Sequence, residues 1–306
     1  MTNQRRIGIL GAGALGSLLA YRLASRTSAE VRLLARSPRP ERVSVEGEGV
    51  VLVDVAGALS SPVDLLVVVV KAYATADALR WAVGAGAVGP DTVALTLQNG
   101  LGNAEVLAAA LGPERVLAGT TAQGATLLAP GQVRHGGEGP THIAPWVPGG
   151  PAAARADAVA ALFTQAGLPT SVAPDPRPLL WAKLCVNCGI NALTAILRVP
   201  NGGLLERPEA RRLMELAAAE AGAVAAAEGV VLPADPVERT VAVARATGAN
   251  RSSMLQDVER GRRTEVDAIN GAVANRGRTA GVPTPVNAVL ADLVLALTVM
   301  EGTSST

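Results

Sequence analysis

Aromatic side chains are nearly missing from this chain: three Trp, two Tyr and one Phe among 306 residues, or 2%. Stacking platforms for nucleic-acid bases are therefore not expected. An excess of charge of one sign is missing too. The formal net charge is +1, which gives no electrostatic case for nucleic acid or for an anionic membrane surface. Cysteine is scarce, with only Cys185 and Cys188, and the two histidines, His135 and His142, lie far from them in sequence. A lone CxxC can be a redox pair or half of a zinc site. Without a second pair, the plainer reading is two small buried side chains and no metal site. A reducing, cytoplasmic setting fits this usage. No long uncharged apolar run is present. The best candidate, residues 285–300, is interrupted by Asn287 and Asp292, so no membrane span is expected. The start of the chain lacks the apolar core of a secretory signal.

What is present is 49% hydrophobic and 17% charged residues, enough for a large core and two domains of ordinary size. The first half alternates strands and helices. Arg6–Leu10 leads into a glycine loop and a helix to Ser25, Glu30–Ala35 reads as a second strand, and Val43–Val45 and Val50–Val53 as short extra ones. Leu65–Val70 is a continuous apolar run, the mark of a parallel strand covered on both faces, and Thr92–Leu97 reads as another buried strand. Ala74–Val83 and Ala152–Ala166 read as helices. Short strands are expected at Val116–Gly119, Thr121–Leu127, Gln132–His135, Thr141–Pro145 and Thr170–Val172. This predicts a doubly wound α/β, Rossmann-type domain over residues 1–173. Residues 174–306 read as an all-α domain. Its helices begin at Asp175-Pro176, at Pro208, at the capping box Asp235-Pro236-Val237-Glu238, near Ser252, at Thr264 (running to Arg278), and at the turn 282–287.

Three features carry chemistry. The first is Gly11-Ala12-Gly13-Ala14-Leu15-Gly16, a GxGxxG that follows a strand and opens a helix. Gly11 permits the tight turn, Gly13 lets backbone approach a pyrophosphate, and Gly16 allows close helix–strand packing. The second is Arg36, 20 positions past Gly16 at the end of the second strand. NAD enzymes place an acid there; an arginine suits a 2′-phosphate and so NADPH. Arg39 and Arg42 could assist. Lys71 and Gln98-Asn99-Gly100 end buried strands, where ligands bind in open α/β sheets, although a surface lysine and an ordinary Asn-Gly turn are the plain alternatives.

The third feature is WAKLCVNCGINALTAI, residues 181–196. Lys183, Asn187 and Asn191 recur every four residues and share one face of a helix that is otherwise apolar. Burying an ammonium and two amides without partners costs on the order of 1–3 kcal/mol each, so the stripe is expected to face something polar, as one wall of an active site. Further on, residues 250–257 (NRSSMLQD) gather short polar donors at a helix start, suited to a carboxylate. Glu265 near Lys183 would hold that lysine charged.

With these blocks in order, the chain resembles the ketopantoate reductase (2-dehydropantoate 2-reductase) family. The matches are GAGALG, QNG at 98–100, KLCVNCGINALTA at 183–195, PNGGL at 200–204, NRSSMLQD at 250–257 and TEVDAING at 264–271. The resemblance implies a Rossmann domain followed by a helical domain. It implies Lys183 as proton donor, with Glu265 as its catalytic partner. Asn187, Asn191, Asn201, Asn250 and Ser253 are implied as substrate-binding residues, and Arg36, Lys71, Asn99, Ala125 and Glu265 as cofactor-side residues beside the glycine loop. The implied reaction is hydride transfer from NADPH to 2-dehydropantoate in pantothenate and coenzyme A biosynthesis. The alternatives are a sister reductase of another branched 2-oxo acid and a non-catalytic NADPH-binding sensor. The expected partners are a small-molecule 2-oxo acid and, left open by the pattern, a second copy of the chain in a homodimer.

Overall fold

In the computed structural model, which describes residues 5–35 and 42–302, the apolar runs of the first half become the centre of an eight-stranded sheet. The strands are β1 (Arg6–Leu10), β2 (Glu30–Leu34), β3 (Arg42–Val45), β4 (Gly49–Leu52), β5 (Asp54–Ala56), β6 (Leu65–Val68), β7 (Val93–Thr96), β8 (Val116–Thr121), β9 (Gly124–Ala129), β10 (Gln132–Gly137), β11 (Thr141–Pro145) and β12 (Thr170–Val172). The helices between them are α1 (Ala14–Arg26), α2 (Thr75–Gly84), α3 (Asn103–Leu111) and α4 (Gly150–Gln165). Every residue of β6 and β7 is buried, as their unbroken apolar sequences require. The large sheet runs β12-β11-β8-β7-β6-β1-β2-β5. From β5 to β8 all neighbours are parallel, and β11 joins β8 antiparallel. This is the doubly wound order, with its switch point between β1 and β6. The Rossmann-type expectation holds.

A separate four-stranded sheet, β4-β3-β10-β9, was not foreseen. β3 and β4 match the short extra strands expected at 43–45 and 50–53, and β9 and β10 the short strands expected at 121–127 and 132–135. They come from two distant insertions that pair only in three dimensions, β3 beside β10 with Ser44 opposite Gln132. Helix α1 packs on β2 and also against β3, β9 and β10. Eight consecutive residues of α1, Gly16–Leu23, are accordingly buried on all sides. Burying each of Leu18, Leu19 and Leu23 is worth about 1.5–3 kcal/mol, so the second sheet makes α1, and the glycine loop at its head, a fixed element. Helix α3 was also unassigned, although its run of Ala, Leu and Glu is strongly helix-forming.

The chain divides into two compact units. One comprises the residues up to Gln98 and Asn103–Pro176; the other comprises Asn99–Gly102 and the residues from Arg177 on. The second unit is all-helical: α5 (Pro176–Leu197), α6 (Pro208–Ala227), α7 (Pro236–Ala246), α8 (Ser253–Glu259), α9 (Asn270–Ala280) and α10 (Pro285–Gly302). Small residues let α6 pack closely on α7, α9 and α10; Ala210, Met214, Ala217, Ala221 and Val224 are all buried. The Asp235 carboxylate caps α7 by accepting from the Val237 and Glu238 N–H groups.

The single helix expected over 264–278 is broken. Residues Val266–Ala268 form a 3-10 turn, and α9 starts only at Asn270. The Ala268 carbonyl leaves the helical ladder to accept from the Leu101 N–H at 3.0 Å. Gly100 sits against it at φ 81°, where a Cβ would lie 2.3 Å from that oxygen. The break thus seats the 99–102 turn on the helical unit.

Helix α5 is, by length and composition, apolar enough to cross a bilayer, but it is mostly buried as the core of its unit. Asn287, read as an interruption of the last apolar run, is fully buried. It donates to the Ala217 carbonyl and the Glu220 carboxylate, and accepts from Asn270.

Candidate active site

The four-residue spacing on α5 places Lys183, Asn187 and Asn191 on one face, while Trp181, Leu184, Cys185, Cys188 and Ile190 are buried on the others. Asn191 is 6% exposed; Lys183 and Asn187 are half-buried. The Nδ2 of Asn187 is buried and has no hydrogen-bond partner among the described residues. A donor in that state is normally matched by something absent from the chain itself. Burial lowers the Lys183 pKa from 10.5 to about 8, and the negative charge of Glu265 opposes that fall. Glu265 is itself buried, immediately before the 3-10 turn. The structure therefore brings Lys183 and Glu265 into one electrostatic unit.

The two cysteines are fully buried and free. Burial pushes Cys185 up to about 12 and Cys188 well above its usual value. Both stay protonated thiols, inert as nucleophiles, as the plainer reading of the CxxC expects. Among the described residues no group of three or more His, Cys, Asp or Glu could hold a metal ion.

A second polar arm follows α5. Val199 N–H closes onto the Thr194 carbonyl, and the chain then turns so that the Asn201 N–H donates to the Asn250 carbonyl at 2.9 Å and Gly202 N–H to Gly248 at 3.0 Å. A Cβ on Gly202 would lie 2.9 Å from the Gly248 Cα, so this crossing is close backbone on backbone. Asn201 is buried, and its Oδ1 has no partner among the described residues. Ser252 caps α8: its Oγ accepts from the Leu255 N–H at 3.0 Å. The Thr194 and Ser252 hydroxyls share a hydrogen bond at 2.7 Å, which ties α5 to the head of α8. That leaves Ser253 and Asn250 exposed beside it. Thr194 went unremarked in the sequence. It lies three residues past Asn191, and that spacing is the one signal for it.

In the other unit the loop between β1 and α1 carries the six residues expected to meet a dinucleotide. Gly11 has φ 125°, and a Cβ there would lie 2.8 Å from the Val69 backbone. A Cβ on Gly16 would lie 1.8 Å from the Gly11 carbonyl oxygen. Gly13 differs: it is exposed, and a Cβ there would meet nothing within 4 Å. Two of the glycines are thus demanded by the protein's own packing, while Gly13 faces open space at the head of α1. Ala12, Ala14 and Leu15 are half-buried around it. The first-turn N–H groups carry no side-chain cap and no acidic neighbour, an arrangement that fits a phosphate.

Lys71 is half-buried and precedes the 3-10 turn Ala72–Ala74 beyond β6. Its neighbour Val70 is held by Gln98, whose Nε2 donates to the Val70 carbonyl and to Thr75 Oγ1 while its Oε1 accepts from Thr96. Gln98 was visible only as the first letter of the QNG block; its cross-link between two strand ends was not. Asn99 belongs to the turn seated on the helical unit. Ala125 lies on β9 of the second sheet, opposite His135, against the same core as α1. Arg36 and Arg39 lie outside the described residues.

Comparison with known proteins bears on the whole chain. The family model "Ketopantoate reductase PanE/ApbA" matches residues 7–148, and "Ketopantoate reductase PanE/ApbA C terminal" matches residues 175–298. A 2-dehydropantoate 2-reductase of Halobacterium salinarum is 43% identical, covering 94% of this chain and 97% of that one. The solved PanE/ApbA family ketopantoate reductase of Ralstonia eutropha JMP134 is 32% identical with TM-score 0.85, covering 97% of this chain and 99% of that one. A solved D-mandelate dehydrogenase with NADH and anilino(oxo)acetate is 27% identical with TM-score 0.88, covering 97% and 100%.

Proposed function

The chain belongs to the ketopantoate reductase family, and we propose that it reduces 2-dehydropantoate to pantoate with NADPH, as a step toward pantothenate and coenzyme A. The observation that carries the reading is Lys183, a lysine on a buried polar stripe whose pKa lies at about 8. A cation there is still an ammonium near neutral pH, yet gives up its proton far more readily than a free lysine.

The glycine loop holds the pyrophosphate of the dinucleotide, with α1 N–H groups as donors and Gly13 as the point of close approach. Lys71 and Ala125 lie on the same unit and Asn99 on the other; all three are assigned to the cofactor side. Arg36 is assigned to the 2′-phosphate and so to the choice of NADPH. The chemistry that NADPH would supply there is a hydride for the ketone carbon. As charge develops on the carbonyl oxygen, Lys183 stabilises it and then delivers its proton to that oxygen. Glu265 keeps the lysine charged until then. The unpartnered Asn187 Nδ2 is a donor for a substrate oxygen, with Asn191 beside it on the stripe. Asn250 and Ser253 take the carboxylate. Cytoplasmic placement accords with two free, buried thiols.

A second reading keeps this chemistry and changes the acid. It is favoured by the likeness to a D-mandelate dehydrogenase solved with NADH. Cofactor oxidation with 2-dehydropantoate and with other branched or aryl 2-oxo acids, each with NADPH and with NADH, separates the two. Preference for NADPH and 2-dehydropantoate is expected. Faster turnover of another 2-oxo acid, or of NADH, would replace the first reading by the second.

A further inference from the structure

Among the described residues three buried side-chain amide atoms of the helical unit lack partners: the donor Asn187 Nδ2 and the acceptors Asn201 Oδ1 and Asn270 Oδ1. Asn270 is 0% exposed, deep in the core, whereas Asn187 and Asn201 belong to the two polar arms, and their unpartnered atoms are of opposite kind. A 2-oxo acid offers only acceptors at its carboxylate and ketone. The Asn187 donor suits those oxygens. The Asn201 oxygen does not; it calls for a partner that carries its own hydrogen, such as a hydroxyl on the ligand.

What holds Asn201 in that sense is Thr247, at the end of α7. The Thr247 hydroxyl donates its one proton to the Val243 carbonyl at 2.7 Å. Toward Asn201 it can then only accept, and it does so from Nδ2 at 2.9 Å. Turning the amide over would require the Thr247 hydroxyl to give up the Val243 carbonyl. The Thr247 carbonyl accepts from the Asn250 N–H at 2.8 Å, so one residue fixes the amide of Asn201 and the backbone of Asn250 together.

We propose that Thr247 is a positioning residue that holds Asn201 Oδ1 toward the substrate as a fixed acceptor, so that the enzyme selects 2-oxo acids bearing a hydroxyl. The proposal rests on the reading of Asn201 as a substrate residue. A site built to bond a hydroxyl discriminates strongly against the analogue lacking it, because its own polar group is then left unpaired.

The test compares kcat/KM for 2-dehydropantoate and for 3,3-dimethyl-2-oxobutanoate, the same acid without its hydroxyl, in the wild type and in Thr247→Val, Thr247→Ser and Asn201→Ala. Thr247→Val is expected to reduce the preference for the hydroxylated acid by about tenfold or more. The loss should come through a higher KM for that acid, with little change for the other. Thr247→Ser, which keeps the hydroxyl, should restore the preference. An unchanged ratio in Thr247→Val, or an equal loss on both acids, overturns the proposal. Should Thr247→Val not fold, Thr247→Ala carries the test by the same ratio, and full preference in Asn201→Ala overturns the proposal. If the wild type turns over neither acid, the functional reading itself has failed. If it turns over both without preference, only the present proposal has.

Discussion

Replacing Lys183 by methionine removes the ammonium and keeps an apolar stem in the α5 stripe. The fall of its pKa from 10.5 to about 8 measures what the folded state loses by holding the charge. At about 1.4 kcal/mol per unit this is at most about 3.5 kcal/mol, with the attraction of Glu265 already included. The sign follows from proton linkage. Below pH 8 both folded and unfolded chains carry the proton and the whole cost is present. Between 8 and 10.5 the unfolded chain binds more protons, so wild-type stability rises with pH; above 10.5 the cost is gone. Lys183→Met should therefore be more stable than wild type at pH 6–7, by up to about 3.5 kcal/mol, and the gain should shrink as pH rises. Its kcat should fall by roughly 10²–10⁴-fold, the usual contribution of a positioned general acid. Wild-type turnover should decline above about pH 8, and the residual rate of the variant should lack that limb. Melting curves and pH–rate profiles on the same preparations read both effects. Near-normal turnover in folded Lys183→Met would refute the proton-donor role, and a stability gain independent of pH would refute the burial argument.

Other outcomes follow from single contacts. Glu265→Gln removes the charge that raises the Lys183 pKa, so the alkaline limb of the rate profile should move below pH 8; a limb that stays in place contradicts the coupling. Gly16→Ala drives a Cβ to 1.8 Å from the Gly11 carbonyl and should lower the melting temperature of the free protein. Gly13→Ala meets no protein atom, so it should leave that melting temperature alone while weakening NADPH binding measured by titration. Ser252→Ala should cost about 1 kcal/mol in a denaturant melt through its lost helix cap. Ser253→Ala should leave stability unchanged and raise KM for the 2-oxo acid, and a reversal of that pair would exchange their roles.

Much of this protein was legible in one dimension because its signals are periodic or contiguous. Unbroken apolar runs at Leu65–Val68 and Val93–Thr96 can only be strands covered on both faces. A GxGxxG between strand and helix encodes its own turn, and a four-residue spacing puts Lys183, Asn187 and Asn191 on one helix face whatever surrounds them. The rest depends on residues that meet only after folding. The second sheet needs β3 and β10 from separate insertions, and it alone explains why α1 is buried on every side. The break before α9 is made by a turn at Gly100 from the other half of the sequence, which takes the Ala268 carbonyl out of its helix. Spacing aligns Lys183, but the density of apolar atoms around it sets its pKa. Likewise Asn201 is a polar letter in the sequence, and only a threonine 46 residues further on decides that it presents an oxygen. Local geometry is written in neighbouring residues; burial and hydrogen-bond polarity belong to the packed chain, because each is a property of what lies opposite.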